Sequence, residues 1–267
     1  MTEAAAAMSR LMKAHRSIRA YDPNKPVDAA WLEGVLAEAF QGCSSSGNLN
    51  MSSVIVTRDV QRKQRLYELH GEQPMVLQAP VVLTFCADSF RTRQWLAQRG
   101  ARPGFADLVS WHVAAFDAII FAQTAALALQ SHGLGICYMG TTLYATAEIA
   151  AFLELPADTC LPVTSLVVGW PAEAPAQRDR LPATAWLHHE RYQAPSAADI
   201  DAQYAQRDQR GWERYRAMGD EVIDMMAEHG ITSLAQFYTS KIKYDPDVIG
   251  EFSIGLHAQL VERGFMR

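Results

Sequence analysis

Apolar residues in the first two thirds of the chain recur with two different spacings. From Asp28 to Phe40 they fall on one helical face, and Asp28 stands where a helix N-cap is expected. Val81–Cys86 is instead a continuous apolar run after Pro80, which is typical of a strand covered on both faces. On the same grounds the sequence predicts helices over Glu3–Lys13 and Val60–Leu69, and a third helix that is capped by Thr146 and ends at about Glu154. It predicts further strands over Val54–Thr57, Gly135–Tyr138 and Pro162–Gly169.

The longest helical pattern runs from Asp107 to His132 and is apolar on nearly all sides. Gly133 follows it, where a residue without a Cβ suits the left-handed turn after a helix. Polar residues interrupt the run at His112, Asp117, Gln123 and Thr124 and make a bilayer span costly. We therefore expect no membrane association and a central helix buried in the domain or in a dimer.

Helices are predicted between most of the strands, so the fold class is α/β or α+β, a mixed sheet flanked by helices. After Tyr192 the composition changes to Gln, Arg and Asp at high density, and no strand pattern is evident. We expect one domain over residues 1–192 and a helical C-terminal extension over 193–267 that packs on the dimer. Because apolar residues are sparse in the extension, we expect it to have no core of its own.

Composition and charge narrow the functional classes. The 267 residues are 49% hydrophobic and 20% charged with a formal net charge of -5, which argues against disorder and against a nucleic-acid surface. The net charge does not exclude a local basic pocket. The first residues lack the basic start and apolar core of a secretory signal, so a cytoplasmic location is expected.

Several common sites are not expected. The four cysteines are far apart without a Cys-x-x-Cys pair, which favours reduced thiols over zinc or disulfides. His188-His189-Glu190 places adjacent side chains on opposite sides, so no metal is predicted. The glycine patterns of dinucleotide folds and phosphate loops and the hydrolase nucleophile elbow are absent from the sequence.

Three polar segments have residue types suited to binding. His15–Arg19 offers two guanidiniums and a hydroxyl that suit a phosphate, although a solvated basic turn is the ordinary alternative. Ser44–Asn48 suits a phosphate or a polar ring, and equally a flexible surface loop. Arg178–Arg180 follows the strand that ends at Gly169, and structural salt bridges would also explain its cations.

Taken in order, these segments resemble the flavin-dependent nitroreductase family, most closely its oxygen-insensitive NADPH nitroreductases and FMN flavin oxidoreductases. The resemblance extends from about Ala14 to Tyr192. It rests on His15–Arg19, Ser44–Ser46 with Leu49-Asn50, Phe85–Asp88, Gly133–Gly140, Leu155-Pro156, Leu161-Pro162, Gly169–Ala172 and Arg180–Pro182.

The resemblance implies an entwined homodimer with an FMN at each of two interface sites. Arg16, Ser17 and Arg19 would hold the phosphate and ribityl chain, and Arg178 would place a positive charge near the flavin ring, with no certain catalytic residue in the protein. Gln73 would lie near the pyrimidine edge. The implied cofactor-binding residues are His15, Arg16, Ser17, Arg19, Ser44, Ser45, Ser46, Asn50, Gln73, Tyr138, Met139, Gly140, Arg178 and Arg180.

The implied activity is that of an NAD(P)H oxidoreductase. Such an enzyme reduces nitroaromatics, quinones or related electron-poor acceptors by ping-pong hydride transfer through FMN. A specialised FMN-dependent reductase, dehydrogenase or reductive dehalogenase for one aromatic metabolite is the alternative. A flavin-binding protein without turnover is a third hypothesis.

Two stretches depart from the family pattern. Thr141–Leu143 stands where relatives usually have a glycine, a hydrophobic residue and an arginine. In the stretch that corresponds to the basic loop of NADPH-specific relatives, Arg214 and Arg216 are followed by Asp220 and Glu221, which oppose a phosphate. We therefore expect a weak or absent preference for NADPH.

Overall fold

The computed structural model describes residues 2–266. The chain divides into two compact units: the residues up to Gln177 together with those from Phe252 on, and Arg178–Glu251. The division predicted at residue 192 thus falls inside the second unit. The helices are α1 Glu3–Ala14, α2 Ala29–Gln41, α3 Val60–Leu69, α4 Met75–Gln78, α5 Phe90–Gln98, α6 Leu108–Ser131, α7 Thr146–Phe152, α8 Ala197–Ala217, α9 Asp220–Glu228, α10 Leu234–Tyr238 and α11 Pro246–Glu262. The strands are β1 Ser52–Thr57, β2 Val81–Asp88, β3 Gly135–Met139 and β4 Cys160–Gly169.

The four strands form one sheet in the order β1-β2-β4-β3, and each neighbouring pair is antiparallel. The predicted α/β class with flanking helices is confirmed. The parallel component of the sheet is a single bridge in which Ser17 pairs with Ile136 of β3. This bridge attaches the first polar segment of the sequence to the sheet.

Helices cover both faces of the sheet in the first unit. On one face α2 and α6 pack against β2 and β4, with Leu32, Phe121 and Phe85 in the same cluster. On the other face Leu66 of α3 and Val82 belong to a second cluster. Because alternate residues of β2 enter opposite clusters, this strand is apolar throughout, as the sequence predicts.

Helix α6 has the predicted limits. The Asp107 carboxylate accepts a hydrogen bond from the Ser110 amide at 2.9 Å, and the helix ends before His132 and Gly133, whose φ is +85°. By length and composition α6 is the one described helix that could cross a membrane, and half of its apolar window is buried in the protein. A core helix of a soluble protein passes the same test.

The second unit has an apolar core of its own. Tyr215 of α8, Met226 of α9, and Leu234 and Phe237 of α10 are buried together. Gly211 permits this packing, because a Cβ there would lie 2.1 Å from a methyl carbon of Leu234. The prediction that the C-terminal part lacks a separate core is therefore wrong.

Thr146 is the first residue of α7 instead of its N-cap. Its hydroxyl donates to the carbonyls of Thr142 and Leu143, each at 3.1 Å, so it contacts the preceding turn. The predicted extension to Glu154 is also two residues too long, since α7 ends at Phe152.

Candidate functional site

The His15–Arg19 segment is fixed to the edge strand of the sheet. The Ile18 amide donates to the Ile136 carbonyl at 2.9 Å, next to the bridge made by Ser17. The segment approaches Gly135 so closely that a Cβ there would lie 2.8 Å from the Ile18 side chain. Its backbone is therefore held in place before any ligand binds.

The two arginines of this segment differ in how far they are engaged. The Arg16 guanidinium donates to the Ala14 carbonyl at 3.0 Å and to the Pro175 carbonyl at 3.2 Å. The exposed Arg19 guanidinium makes no hydrogen bond or ion pair with another described residue, while its amide donates to the Glu173 carboxylate. The backbone of Arg19 is thus held in place, while its guanidinium is available to bind an anionic ligand.

The other predicted phosphate contacts in the segment already have partners. The His15 Nδ1 lies 3.1 Å from the Gln130 Oε1 of α6. The Ser17 side chain is hydrogen-bonded to the Cys137 thiol, whose pKa is raised chiefly by burial. A ligand at this segment would share Ser17 with that thiol.

The serine-rich loop is fastened to α6 by one carboxylate. The Ser45 hydroxyl donates to Asp117 at 2.6 Å and accepts from the Asn50 amide at 2.8 Å. Asp117 also accepts from the Met51 amide at 2.9 Å. Because the only hydrogen of the Ser45 hydroxyl is committed, this side chain has no proton to donate to a cofactor.

Most of the rest of the loop is exposed, although Leu49 and Asn50 are half-buried. Ser44 and Ser46 are exposed, and the Asn50 Nδ2 donates back to the Asn48 carbonyl at 2.8 Å. Gly47, Asn48 and Asn50 have φ values of +59°, +55° and +53°, a left-handed geometry that glycine and asparagine tolerate best. The two exposed hydroxyls are the donors that the loop leaves available.

Gln73 belongs to a three-residue polar cluster beneath the end of β3. Its Nε2 donates to the His70 carbonyl at 3.0 Å and to the Thr141 hydroxyl at 3.2 Å. The His70 Nδ1 lies 2.8 Å from that same hydroxyl. His70 is fully buried, which lowers its pKa to about 4, and its Nε2 has no partner among the described residues.

The backbone of residues 138–140 ends β3 beside this cluster. The Tyr138 hydroxyl donates to the Gln123 Oε1 at 3.2 Å, and burial raises the Tyr138 pKa to about 12. Met139 is buried, whereas Gly140 is exposed, and no atom lies within 4 Å of a Cβ built on it. The open space beside Gly140 suits the edge of a flat ring.

The second unit contains a cavity of about 700 Å³ with an excess of positive charge. Arg178 and Arg180, which the resemblance assigns to FMN, line it together with Arg214, which the sequence places in the stretch corresponding to the NADPH loop of relatives, and with residues that the sequence did not single out. The lining is Arg178, Asp179, Arg180, Leu181, Trp186, Arg207, Arg214, Tyr215, Tyr238 and Lys243. Five cations thus face one carboxylate, and Asp179 also lies 3.9 Å from Arg210.

Aromatic rings lie against three of these cations, and the Arg214 guanidinium is 5.2 Å from the centre of the Tyr215 ring. The Arg207 guanidinium lies 5.2 Å from the centre of the Tyr238 ring, and the Lys243 ammonium lies 6.0 Å from it. Asp220 and Glu221 occupy the first turn of α9 and are not among the lining residues. The cations of Arg178–Arg180 and Arg214 were the sequence signals for this cavity, whereas Arg207 and Lys243 were not identified from the sequence.

Comparison with known proteins agrees with the arrangement of the first unit. The family model described as "Nitroreductase family" matches residues 12–170. The chain belongs to the nitroreductase family. It is 39% identical over 180 residues to a Bacillus subtilis protein named FMN reductase (NAD(P)H), covering 67% of this chain and 71% of that protein.

Two further relatives of this nitroreductase-family chain are informative. An oxygen-insensitive NADPH nitroreductase from Salmonella typhimurium is 36% identical over 183 residues, covering 68% of this chain and 73% of that protein. The crystal structure of a putative oxidoreductase from Bacteroides fragilis superimposes with a TM-score of 0.85 at 36% identity, covering 97% of this chain and 100% of that one. The resemblance recognised in the sequence is confirmed, and the chain is an oxidoreductase.

The predicted nitroreductase site residues fall into three groups. β3 brings the His15–Arg19 segment together with residues 138–140, and Gln73 joins them through Thr141. The Ser44–Asn50 loop is held on α6, and no hydrogen bond links it to the His15–Arg19 segment in the described chain. Arg178 and Arg180 lie in the second unit. No group of metal-binding side chains occurs among residues 2–266.

Proposed function

We propose that this protein is an FMN-dependent oxidoreductase that takes electrons from NAD(P)H and reduces nitroaromatics, quinones or related electron-poor acceptors. The observation that carries the proposal is the His15–Arg19 segment, which is hydrogen-bonded to β3 and presents the exposed Arg19 guanidinium there. The names of the Bacillus and Salmonella relatives support FMN and NAD(P)H as cofactor and reductant.

The residues present fit FMN. Arg19 has the charge that a phosphate needs, the Gln73 Oε1 accepts no hydrogen bond from the described residues, and the space beside Gly140 is open. Ser44 and Ser46 offer hydroxyls. The roles predicted for Ser45, Arg178 and Arg180 in FMN binding stay predictions, and for Ser45 the available contact is a lone pair or the backbone.

The protein would bind and orient the reactants. FMN, when bound, supplies the hydride chemistry that joins the nicotinamide to the acceptor. Arg19 and Arg16 would hold the phosphate by charge, and Gln73 would fix the ring edge. Tyr138, with a pKa near 12, keeps its proton at neutral pH and acts as a donor to Gln123, so it does not serve as a base.

The cationic cavity of the second unit suits the phosphate-bearing end of the reduced dinucleotide. Arg207, Arg214 and Lys243 supply charge, and Trp186 and Tyr238 supply surfaces on which a planar base stacks. The expected weak NADPH preference rested on Asp220 and Glu221, which do not line the cavity. The cations that line the cavity support our proposal that NADPH is accepted.

An exposed apolar face on α6 supports a homodimer. Val109 is 73% exposed, Phe116 61% and Ile119 44%, on a helix whose opposite side is the core of the first unit. A monomer rarely leaves such large side chains together in water, so a second copy would cover them. A cytoplasmic location is part of the same proposal.

Anaerobic reduction of the purified protein tests the proposed function. We expect NADPH to bleach the bound flavin, and nitroaromatics or quinones to restore its colour. Flavin that stays oxidised with both NADPH and NADH would contradict the proposal. A panel that adds halogenated aromatics distinguishes the general reductase from an enzyme for one aromatic metabolite, because the latter would reoxidise with a single member.

Steady-state rates with NADH and NADPH test the cavity. Arg207→Ala should raise the KM for NADPH by about tenfold, the loss expected for one charge-assisted contact, and leave bound FMN in place. Arg10→Ala, which removes an exposed arginine of α1, is the matched control. Equal KM values in the two variants would contradict the assignment.

A further inference from the structure

The amide of Gln73 is turned in one direction by its contacts. Both hydrogens of its Nε2 have acceptors, one the His70 carbonyl at 3.0 Å and the other the Thr141 hydroxyl at 3.2 Å. If the amide were rotated by 180°, its oxygen would face the lone pairs of the His70 carbonyl. The contacts therefore leave the Oε1 as the only group that Gln73 can offer to a ligand.

The Thr141 hydroxyl is itself held from behind. The His70 Nδ1 lies 2.8 Å from it, and His70 is fully buried at the C-cap of α3, where its amide donates to the Leu66 carbonyl at 2.8 Å. Burial lowers the pKa of His70 to about 4, so the ring is neutral at pH 7. Whichever of the two atoms donates, the hydroxyl keeps a lone pair for Gln73.

The pyrimidine edge of an isoalloxazine ring carries a single donor, N3–H, between two carbonyl oxygens. We propose that Thr141 is a positioning residue that, together with the His70 carbonyl, turns the Gln73 amide so that its Oε1 accepts a hydrogen bond from the flavin N3–H. The inference rests on the proposed use of FMN, and it assigns the polarity of a contact that this use leaves open. Gln73 in this orientation would repel the neighbouring flavin carbonyls, so it also fixes the register of the ring edge.

Nuclear magnetic resonance of ¹⁵N-labelled FMN bound to the full chain reads this hydrogen bond directly. The measured quantity is the exchange rate of the N3 proton with solvent, supplemented by the FMN dissociation constant from fluorescence quenching. Thr141→Val removes the hydroxyl with little change of shape, and Thr141→Ser keeps it. Thr239→Val is the matched control, because the exposed Thr239 hydroxyl donates to the Ala235 carbonyl at 3.3 Å and does not contact Gln73.

We expect slow exchange of the N3 proton in the unaltered chain, in Thr141→Ser and in Thr239→Val. Thr141→Val should accelerate the exchange by about tenfold and weaken FMN binding by about three- to tenfold, the change expected when one net hydrogen bond is lost. Exchange as fast as in free FMN in the unaltered chain, or unchanged exchange in Thr141→Val, would overturn the inference.

A second variant keeps the test decisive if Thr141→Val does not fold, as judged by circular dichroism. Gln73→Met removes the acceptor at similar size and should give the same fast exchange, whereas slow exchange in it would overturn the inference. A chain that binds no FMN at all contradicts the proposed function itself. Tight FMN binding with an unprotected N3 proton contradicts only the orientation of Gln73.

Discussion

Among single residues, Arg19 combines a fixed backbone with an uncommitted charge. Its amide donates to Glu173 and the neighbouring Ile18 amide donates to Ile136, yet its guanidinium makes no hydrogen bond or ion pair with a described residue. The Arg16 guanidinium, by contrast, donates hydrogen bonds to two backbone carbonyls. Arg19 is therefore the side chain whose removal should affect a phosphate ligand most and the fold least.

Arg19→Ala should weaken FMN binding by about 10- to 100-fold, since a hydrogen bond to a charged group contributes about 1.5–3 kcal/mol. Thermal stability without FMN should change little. Fluorescence titration of the protein stripped of flavin gives the dissociation constant. Arg102→Ala, another exposed arginine of the first unit, serves as the control. Equal affinity in both variants would refute the role of Arg19.

His70 should make stability depend on pH. Its folded pKa, about 4, is below the ordinary 6.5, so between these values the unfolded chain binds the proton and the native protein does not. The contribution of His70 to the free energy of unfolding should be complete above pH 6.5, and the free energy should fall by roughly 3 kcal/mol as the pH drops to 4.

Urea denaturation at a series of pH values measures this dependence. In His70→Gln the decline between pH 6.5 and 4 should be shallower than in the unaltered chain. His257→Gln, at an exposed position of α11, should keep the full decline. A slope in His70→Gln as steep as that of the control would be inconsistent with a buried neutral imidazole.

Among the elements, the attachment of the serine-rich loop to α6 depends on one buried carboxylate. Asp117 is 4% exposed and accepts from the Ser45 hydroxyl and from the amides of Ser46 and Met51. The hydrogen bonds that Asp117 accepts explain why a carboxylate is buried on this mostly apolar helix. The loop acquires a defined shape although three of its residues have positive φ.

Asp117→Asn should destabilise the protein by about 1–3 kcal/mol, because the new amide group points its hydrogens at hydrogen-bond donors. Urea denaturation measures the loss, and protease cleavage within residues 44–50 should become faster. Asp59→Asn makes the same chemical change at the N-cap of α3, where asparagine caps as well as aspartate. If both variants were equally stable and equally protected, the loop would not depend on Asp117.

Sequence patterns predicted the elements wherever the apolar spacing was strong. The predicted limits of α3 match the structure, those predicted for α6 are its two cap residues, and each end of the four strands was predicted within two residues. Helix α8 lies in the extension that was predicted to be helical, but its limits were not predicted, because its buried residues are only Gly211 and Tyr215 and its 21 residues contain no apolar stripe. The resemblance located the His15–Arg19 segment. It could not predict the hydrogen bonds from Ser45 to Asp117 and from Gln73 to Thr141, because these residues are 72 and 68 positions apart and are brought together only by the fold.

At the scale of the whole molecule, α6 exposes a face of large apolar side chains. Val109, Phe116, Ile119 and Ile120 are at least 38% exposed there. The net charge of -5 does not prevent two copies from associating through this face, because the helix carries few charged residues. An assembly of two copies accounts for both the apolar helix and its exposure.

Phe116→Glu should convert a homodimer into a monomer or weaken its association by about 100-fold, since a buried charge without a partner is costly. Light scattering coupled to gel filtration gives the mass. Val60→Glu, equally apolar and exposed on α3, should leave the mass of a dimer. A monomeric unaltered chain, or a dimer that persists in Phe116→Glu, would contradict the assignment of this face.

The absorption spectrum of the purified full chain, taken before and after incubation with FMN and removal of the excess, tests the central claim most directly. The account predicts a flavin band in the blue at about one FMN per chain, as expected for a tight cofactor site. Heating should release a yellow compound that is identified as FMN. A folded protein that stays colourless after incubation would contradict it.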